Sequence, residues 1–430
     1  MLLGLPSVEL PGARTKSLIT RTSWFAAAIW SGLLGLSPAL AQCDWRADFV
    51  GRGLDGFGFA LTTHTDVNGS SLYVGGGFTQ PASRVARWDG SAWHALGAGL
   101  SDEVYALAFY DDGTGAKLYA GGRFNTGSGA PGNHIARWNG SSWQPLGAGT
   151  SGPVHALAVH NDGSGSQLYV GGRFLEAGGQ TVNRIARWNG SDWSGVGGGV
   201  TCETLIATCE VRALRPMLHN QTQQLFVGGF FTDAGGVDLS LGTPQYLNYG
   251  HIARWNGSTW GNVNFGVNSV VRAVTAFDEE AGSSPLRIGG QFTLSLNPLN
   301  RVGRNRFLQW LEMRDGFNGL GVYALEVIDP GNGPALFAAG DLSSAPSTNP
   351  NIPGVNLRNI GRWNGASWEP LGSGPLNGVN GEIYALAEYD DGSGKALYAT
   401  GAFLSAGALQ SPRITKWQCL DPPLFANGFE

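Results

Sequence analysis

The chain has 430 residues, 68 of them glycine, with 42% apolar residues, 14% charged residues and a net charge of −5. Ordinary glycine usage of about 7% would give roughly 30 in such a chain. The excess sits among Trp, Val, Leu and Ile instead of in Gly/Ser tracts, which excludes a disordered linker. Scarce charge without long helical periodicity favours short strands and tight turns. The acidic balance argues against nucleic acid or an anionic membrane surface as partner.

Residues 1–41 read as an export signal. Arg14, Lys16 and Arg21 form a basic region, Trp24–Leu36 an apolar one, and Ala39-Leu40-Ala41 a small-residue cleavage site. Leu40-Ala41-Gln42-Cys43 approaches a lipoprotein box, but Gln42 stands where a small residue belongs, so cleavage before Gln42 is expected. The apolar run is short for a membrane span. Removing 1–41 takes away three cations and Glu9, moving the charge from −5 to −7. Cys43, Cys202, Cys209 and Cys419 all lie beyond the cleavage site. An even count in an exported chain predicts two disulfides. No Cys-x₂-Cys pair supports zinc, and no metal or cofactor is expected.

Beyond the leader, one phrase is rewritten repeatedly: Arg84–Trp93, His134–Trp143, Arg184–Trp193, His251–Trp260 and Asn359–Trp368, with weaker copies around Trp310 and Trp417. It reads as a hairpin around Asn-Gly or Asp-Gly, the dipeptides suited to a type I′ turn with positive φ at both central positions. A whole unit runs through Val104–Phe109, an acidic turn at 111–115, Leu118–Phe124, Ile135–Trp138 and Trp143–Gly147. Four short strands recur about every 50 residues, the period of a propeller blade.

Trp88, Trp138, Trp188, Trp255, Trp310, Trp363 and Trp417 are taken as the third-strand markers, giving seven units. A first-strand alanine agrees, at Ala60, Ala106, Ala156, Ala213, Ala273, Ala324 and Ala385. The expected fold is all-β: a seven-bladed β-propeller of four-stranded antiparallel blades over residues 42–420, followed by a flexible tail, 421–430. The Gly-Gly-x-Phe and Ile-Ala-Arg-Trp-Asn-Gly-x-x-Trp motifs resemble kelch repeats. They are closer still to secreted bacterial repeat proteins and to the propeller repeats of fungal cell-polarity proteins. That resemblance implies a propeller with binding or surface roles and names no ligand.

Loops from fourth to first strands share a face with those from second to third strands, here called the top. Length variation collects there, at Thr201–Glu210, Asp233–Gly250, Thr293–Gly303 and Ser343–Arg358, which makes it the candidate binding surface. The acidic turns at 111–115, 161–165 and 390–394 supply two side-chain oxygens each, whereas calcium takes six to eight; they read as self-capping turns. The repeated Arg87, Arg137, Arg187, Arg254 and Arg362 are expected to pair with turn carbonyls. Seven scattered histidines show no ligand spacing, and no nucleophile elbow or phosphate loop is present.

The residue before each first-strand alanine begins that strand near the axis: Phe59, Tyr105, His155, Arg212, Arg272, Tyr323 and Tyr384. Aromatic faces beside two arginines suit a sugar or an anionic group. The expected function is a non-catalytic binding or surface-interaction module, monomeric and extracytoplasmic, whose partner is a carbohydrate, peptide or cell-surface component. The alternatives are a propeller hydrolase, lyase or oxidase with its site at the channel top, or a purely structural surface protein.

The seventh unit lacks a fourth strand, while Asp44-Trp45 and Phe49–Leu54 match fourth strands elsewhere. Residues 43–50 are therefore expected to pair with 413–419, so that the N-terminal strand closes the last blade. Cys43 would then bond Cys419, and Cys202 would bond Cys209 within one loop.

Overall fold

The structure, a computed structural model, describes residues 42–420 except 68, 126–132, 203–208, 220, 240–249, 265, 279–284, 295–298, 307–308, 331–332 and 348–352. The export segment, the C-terminal tail and the middles of the variable top loops lie outside the described residues.

Among the described residues, seven sheets of four strands follow one another, the sixth with a short fifth strand added. The first strands are Gly58–Asp66, Val104–Asp111, Val154–Asn161, Glu210–His219, Val271–Ala276, Asn318–Ile328 and Ile383–Asp390. Each packs against the next, and the seventh packs against the first, so the ring is closed. Every blade is antiparallel throughout and is completed by its own chain except the last. There Gln42–Arg46 pairs with Ile414–Leu420, Cys43 opposite Cys419, and the two cysteines are bonded. The pairing is shorter than 43–50 with 413–419. Ala47–Phe49 turns into a 3₁₀ segment, and Phe49, fully buried, seats its ring 5.1 Å from that of Trp88 in blade one.

The hairpin phrase folds differently from a type I′ turn. Trp138 pairs with Trp143, leaving four residues in the loop, and of these only Gly140 takes a positive φ, at 102°. The side chain of Asn139 does the rest, its Oδ1 accepting from the Ser141 and Ser142 amides at 2.9 and 2.8 Å. A longer loop capped by Asn needs positive φ only at glycine, which explains why Asn-Gly is followed by Ser. Trp310 also differs from its expected place. It lies on the fourth strand of blade five, Gln309–Glu312, and Asn305 pairs with it from the third strand, where the other blades carry tryptophan. The repeated arginines meet carboxylates more than carbonyls: Arg137 donates to Asp112 at 2.8 Å, and Arg187 to Asp162. Arg254 keeps a carbonyl, that of Asn262, at 3.2 Å.

The apolar core is divided into seven clusters, each drawing on two neighbouring blades. Three sets of contacts stitch those junctions. Indole N–H groups reach back one blade, Trp143 to the Leu96 carbonyl at 3.2 Å and Trp193 to that of Leu146 at 2.9 Å. A non-glycine at φ between 62° and 73° stands just before each third strand, or inside it in blade five: Arg84, His134, Arg184, His251, Arg301, Asn359 and Arg413. Left-handed backbone costs about 1–2 kcal/mol per residue. Several of these side chains offset it by donating across the junction, Arg184 to Cys209 O at 2.9 Å and Asn359 to Val379 O at 3.0 Å.

The third contact is steric. The first glycine of each Gly-Gly pair faces a branched side chain of the following blade's first strand. A Cβ on Gly75 would stand 2.6 Å from Val104 Cγ1, and one on Gly228 2.6 Å from Val271 Cγ1. Across the closure the sizes are exchanged: Thr400 takes the glycine's place and Gly58 the valine's. The Gly228→Ala protein is expected to lose about 2 kcal/mol, as overpacked cores do. In a Val271→Ala background that penalty should shrink by about 1 kcal/mol or more, as coupled neighbours require. Urea unfolding of the four proteins measures it; additive losses would show that the two residues do not share one space.

Candidate functional site

In each first strand the residue before the alanine is the one skipped in the pairing with the second strand. The register slips between Gly58 and Ala60, Val104 and Ala106, Val154 and Ala156, and at the matching places in the other four blades. A bulge leaves one residue outside the ladder and re-aims its side chain. The second glycine of the pair allows it: a Cβ on Gly122 or Gly229 would collide with the carbonyl of Glu103 or Glu210 entering the bulge.

Seven bulges therefore point seven side chains at one axis. Phe59, Tyr105, His155, Arg212, Arg272, Tyr323 and Tyr384 together line a funnel of about 350 Å³. A further cavity of about 220 Å³ is lined by the same seven with the Ala and Leu residues that follow them (Val274 in blade five) and by Glu326. All seven are half-buried. Their order round the axis is a continuous arc. Tyr323 stacks on Tyr384 at 5.8 Å and 18°, Tyr384 and Phe59 are 5.3 Å apart, Phe59 and Tyr105 5.4 Å, and Tyr105 and His155 5.1 Å. The two arginines complete the circle. The Arg272 guanidinium lies 4.9 Å from the Tyr323 ring centre, a cation–π contact.

Three acids two residues upstream were not expected from the sequence. Glu103 accepts from the Tyr105 hydroxyl at 2.5 Å, Glu382 from the Tyr384 hydroxyl, and Glu210 from Arg212 Nε at 2.6 Å. The signal available was their shared spacing: positions i and i−2 of a strand lie on one face. With their protons committed to glutamates, Tyr105 and Tyr384 turn acceptor lone pairs to the funnel, and burial and the adjacent glutamates push both phenols up. Arg272 differs from Arg212. Burial first, then the neighbouring Arg212, draws its pKa down. Its Nε has no hydrogen-bond partner among the described residues. Burial, reinforced by Arg212 and Arg272, lowers His155 to about 3. Glu210 Oε2 is 3.6 Å from His155 Nε2. That acid is already committed to Arg212, so the imidazole remains neutral.

The other expected sites are also placed. Asp111, Asn161 and Asp390 each accept from the amides of their own turns, for instance Asp111 Oδ1 from Gly113 and Gly115 at 2.8 and 2.9 Å. Cys202 and Cys209 are bonded to each other. On the top face Val200–Thr201 pairs with Asp233–Ala234, which joins a fourth-to-first loop to a second-to-third loop of the next blade. Among the described residues, no helix is long and apolar enough to cross a membrane.

The class these sheets define is a β-propeller. No family model matches the chain. No curated protein is similar to it. Among solved structures it is similar to a GH74 xyloglucanase from Xanthomonas campestris, with a TM-score of 0.44 and 12% identity over 86% of this chain. The chain spans 44% of that protein's length. The propeller assignment rests on the seven sheets and their closed ring, and the kelch-like resemblance on the repeat motifs alone.

His155 generates a pH prediction. Its folded pKa of about 3 lies below the unfolded value of about 6.5, so between those limits the unfolded chain binds the extra proton. Stability is then lost as pH falls through that window, by about 3 kcal/mol from pH 6.5 to 4. Replacing His155 by Leu should remove that part of the acid sensitivity in denaturant titrations. An imidazole resonance of His155 titrating near 6.5 would contradict the burial argument.

Proposed function

We propose that the protein is an extracytoplasmic binding module whose axial funnel takes a saccharide carrying a carboxylate, such as a uronate residue. Arg272 carries this reading: a half-buried guanidinium on the funnel wall, over the Tyr323 ring and beside the stacked Tyr323–Tyr384 pair. Such a cation gains most from an anionic ligand oxygen, and hydrogen bonds to charged groups contribute about 1.5–3 kcal/mol. Aromatic faces suit the flat apolar side of a sugar ring, while the tyrosine oxygens accept from its hydroxyls. Two disulfides agree with an oxidising compartment.

Binding is favoured over hydrolysis by the disposition of the acids. Cleavage of a glycosidic bond calls for two carboxyl groups facing it. Glu103, Glu210 and Glu382 instead engage tyrosine hydroxyls and an arginine, and Glu326, on the wall of the inner cavity, engages Arg215. The test is a glycan array of neutral and uronate-containing oligosaccharides, followed by calorimetry on the best of them. Acidic glycans should be retained over neutral ones, and Arg272→Ala should weaken binding at least tenfold, about 1.4 kcal/mol. Equal retention of neutral glycans, or an Arg272→Ala protein that binds as before, would reject the reading.

A further inference from the structure

A second cavity, about 650 Å³, lies between blades one and two on the face of the first-to-second-strand turns, away from the funnel. Two local departures from the repeat open it. At the end of the first strand, blades two and seven carry Tyr110 and Tyr389, both buried. Their hydroxyls donate at 3.1 Å to the Ser166 and Ser70 carbonyls of the next blade. Blade one carries His64 in that place, as blade three carries His160, which is buried. The shorter His64 side chain stops on the face of Phe109, with ring centres 3.9 Å apart and planes 9° from parallel.

The second departure is electrostatic. In blades three and seven, one turn carboxylate sits between a second-strand tyrosine and a third-strand cation. Asp162 accepts from Tyr169 at 2.7 Å and from Arg187; Asp391 accepts from Tyr398 at 2.8 Å and from Lys416 at 2.5 Å. Blade one keeps the tyrosine and the cation, Tyr73 and Arg87, both on the cleft wall. Its turn is two residues shorter and offers Val67, fully exposed, instead of the second acid. Asp66 also lies on the cleft wall. The far wall is Trp138, half-buried, whereas Trp88, Trp188, Trp255 and Trp363 are at most 6% exposed.

We propose that this cleft binds a carboxylate attached to a flat aromatic ring. The ligand's carboxylate takes the position that Asp162 and Asp391 hold in their own blades, between the Tyr73 hydroxyl and the Arg87 guanidinium. Its ring lies between the His64–Phe109 stack and Trp138, where offset aromatic contacts contribute beyond buried area. In blades two, three and seven the turn acid meets the cation, and in blade four Arg254 meets Gln224 and the Asn262 carbonyl; in blade one Val67 stands where the acid would.

Calorimetric titration of the purified protein with benzoate, and with benzamide as its neutral counterpart, tests the assignment. Benzoate should bind at one site at least tenfold more tightly than benzamide. His64→Tyr, which restores the side chain of blades two and seven, should abolish binding while leaving the thermal midpoint unchanged or raised. Arg87→Ala should weaken benzoate at least tenfold and leave benzamide unaffected, whereas Arg272→Ala should retain benzoate binding. Undetectable benzoate binding, no preference over benzamide, or unaltered binding by His64→Tyr would each overturn the proposal. Loss in Arg272→Ala alone would assign benzoate to the funnel and overturn it equally.

Discussion

A branched side chain in one blade requires a missing side chain in the blade before it, and the ring depends on that exchange. Val104, Val154, Val211, Val271 and Val322 each enter space that a Cβ on Gly75, Gly121, Gly171, Gly228 or Gly289 would occupy. Inner strands must approach closely because seven sheets converge on one axis, and close-packed interiors leave no slack for an added methyl group. The closure obeys the same volume rule with the partners reversed, Thr400 against Gly58. Because each apolar cluster is shared by two blades, no blade has a core of its own. Closing the ring by Gln42–Arg46 and the Cys43–Cys419 bond is then a condition for the seventh junction. A crosslink spanning 376 residues removes loop entropy from the unfolded chain worth about 6 kcal/mol at most.

The second glycine of the same pair ties architecture to function. By letting the incoming carbonyl approach, it permits the bulge, and the bulge ejects one residue per blade toward the axis. A ring built this way presents seven side chains whose identities are free of packing constraints from the sheet. The chain has five rings on one arc and two cations on the other. The glutamates bonded to them fix hydroxyl and guanidinium orientation, which pre-organises the funnel.

Departures from the repeat show what each position does. Where Asp112, Asp162 and Asp391 are present, a cation from the third strand is neutralised inside the blade. Lys416, 3% exposed, tolerates burial because Asp391 accompanies it. That carboxylate is pushed up by burial, yet hydrogen bonds from Lys416, Ser393 and Tyr398 outweigh this and hold it near 2. Blade one lacks the acid and opens a cleft. Blade five lacks the third-strand tryptophan and carries Asn305 instead, and for that reason Trp310 was misassigned: one aromatic in a degenerate phrase fits either strand of its hairpin.

The sequence by itself determined the recurrence of four-stranded units, the residues that border the axis and the strand that pairs with the last blade. Each follows from a one-dimensional regularity: an alanine and a glycine pair recurring in step, and a fourth strand missing at one end and present at the other. It did not reveal how the turns are built. Asn139-Gly140 suits a two-residue hairpin locally, and only the Trp138–Trp143 pairing shows that the loop has four. Nor could it show that the funnel residues are bulged, because a bulge is a mismatch between two strands and belongs to neither. The arginines' choice of Asp112 and Asp162, the glutamates bonded to Tyr105, Arg212 and Tyr384 and the cleft beside His64 were likewise decided in three dimensions. Each joins residues that repeat spacing keeps apart and sheet packing brings within hydrogen-bond reach.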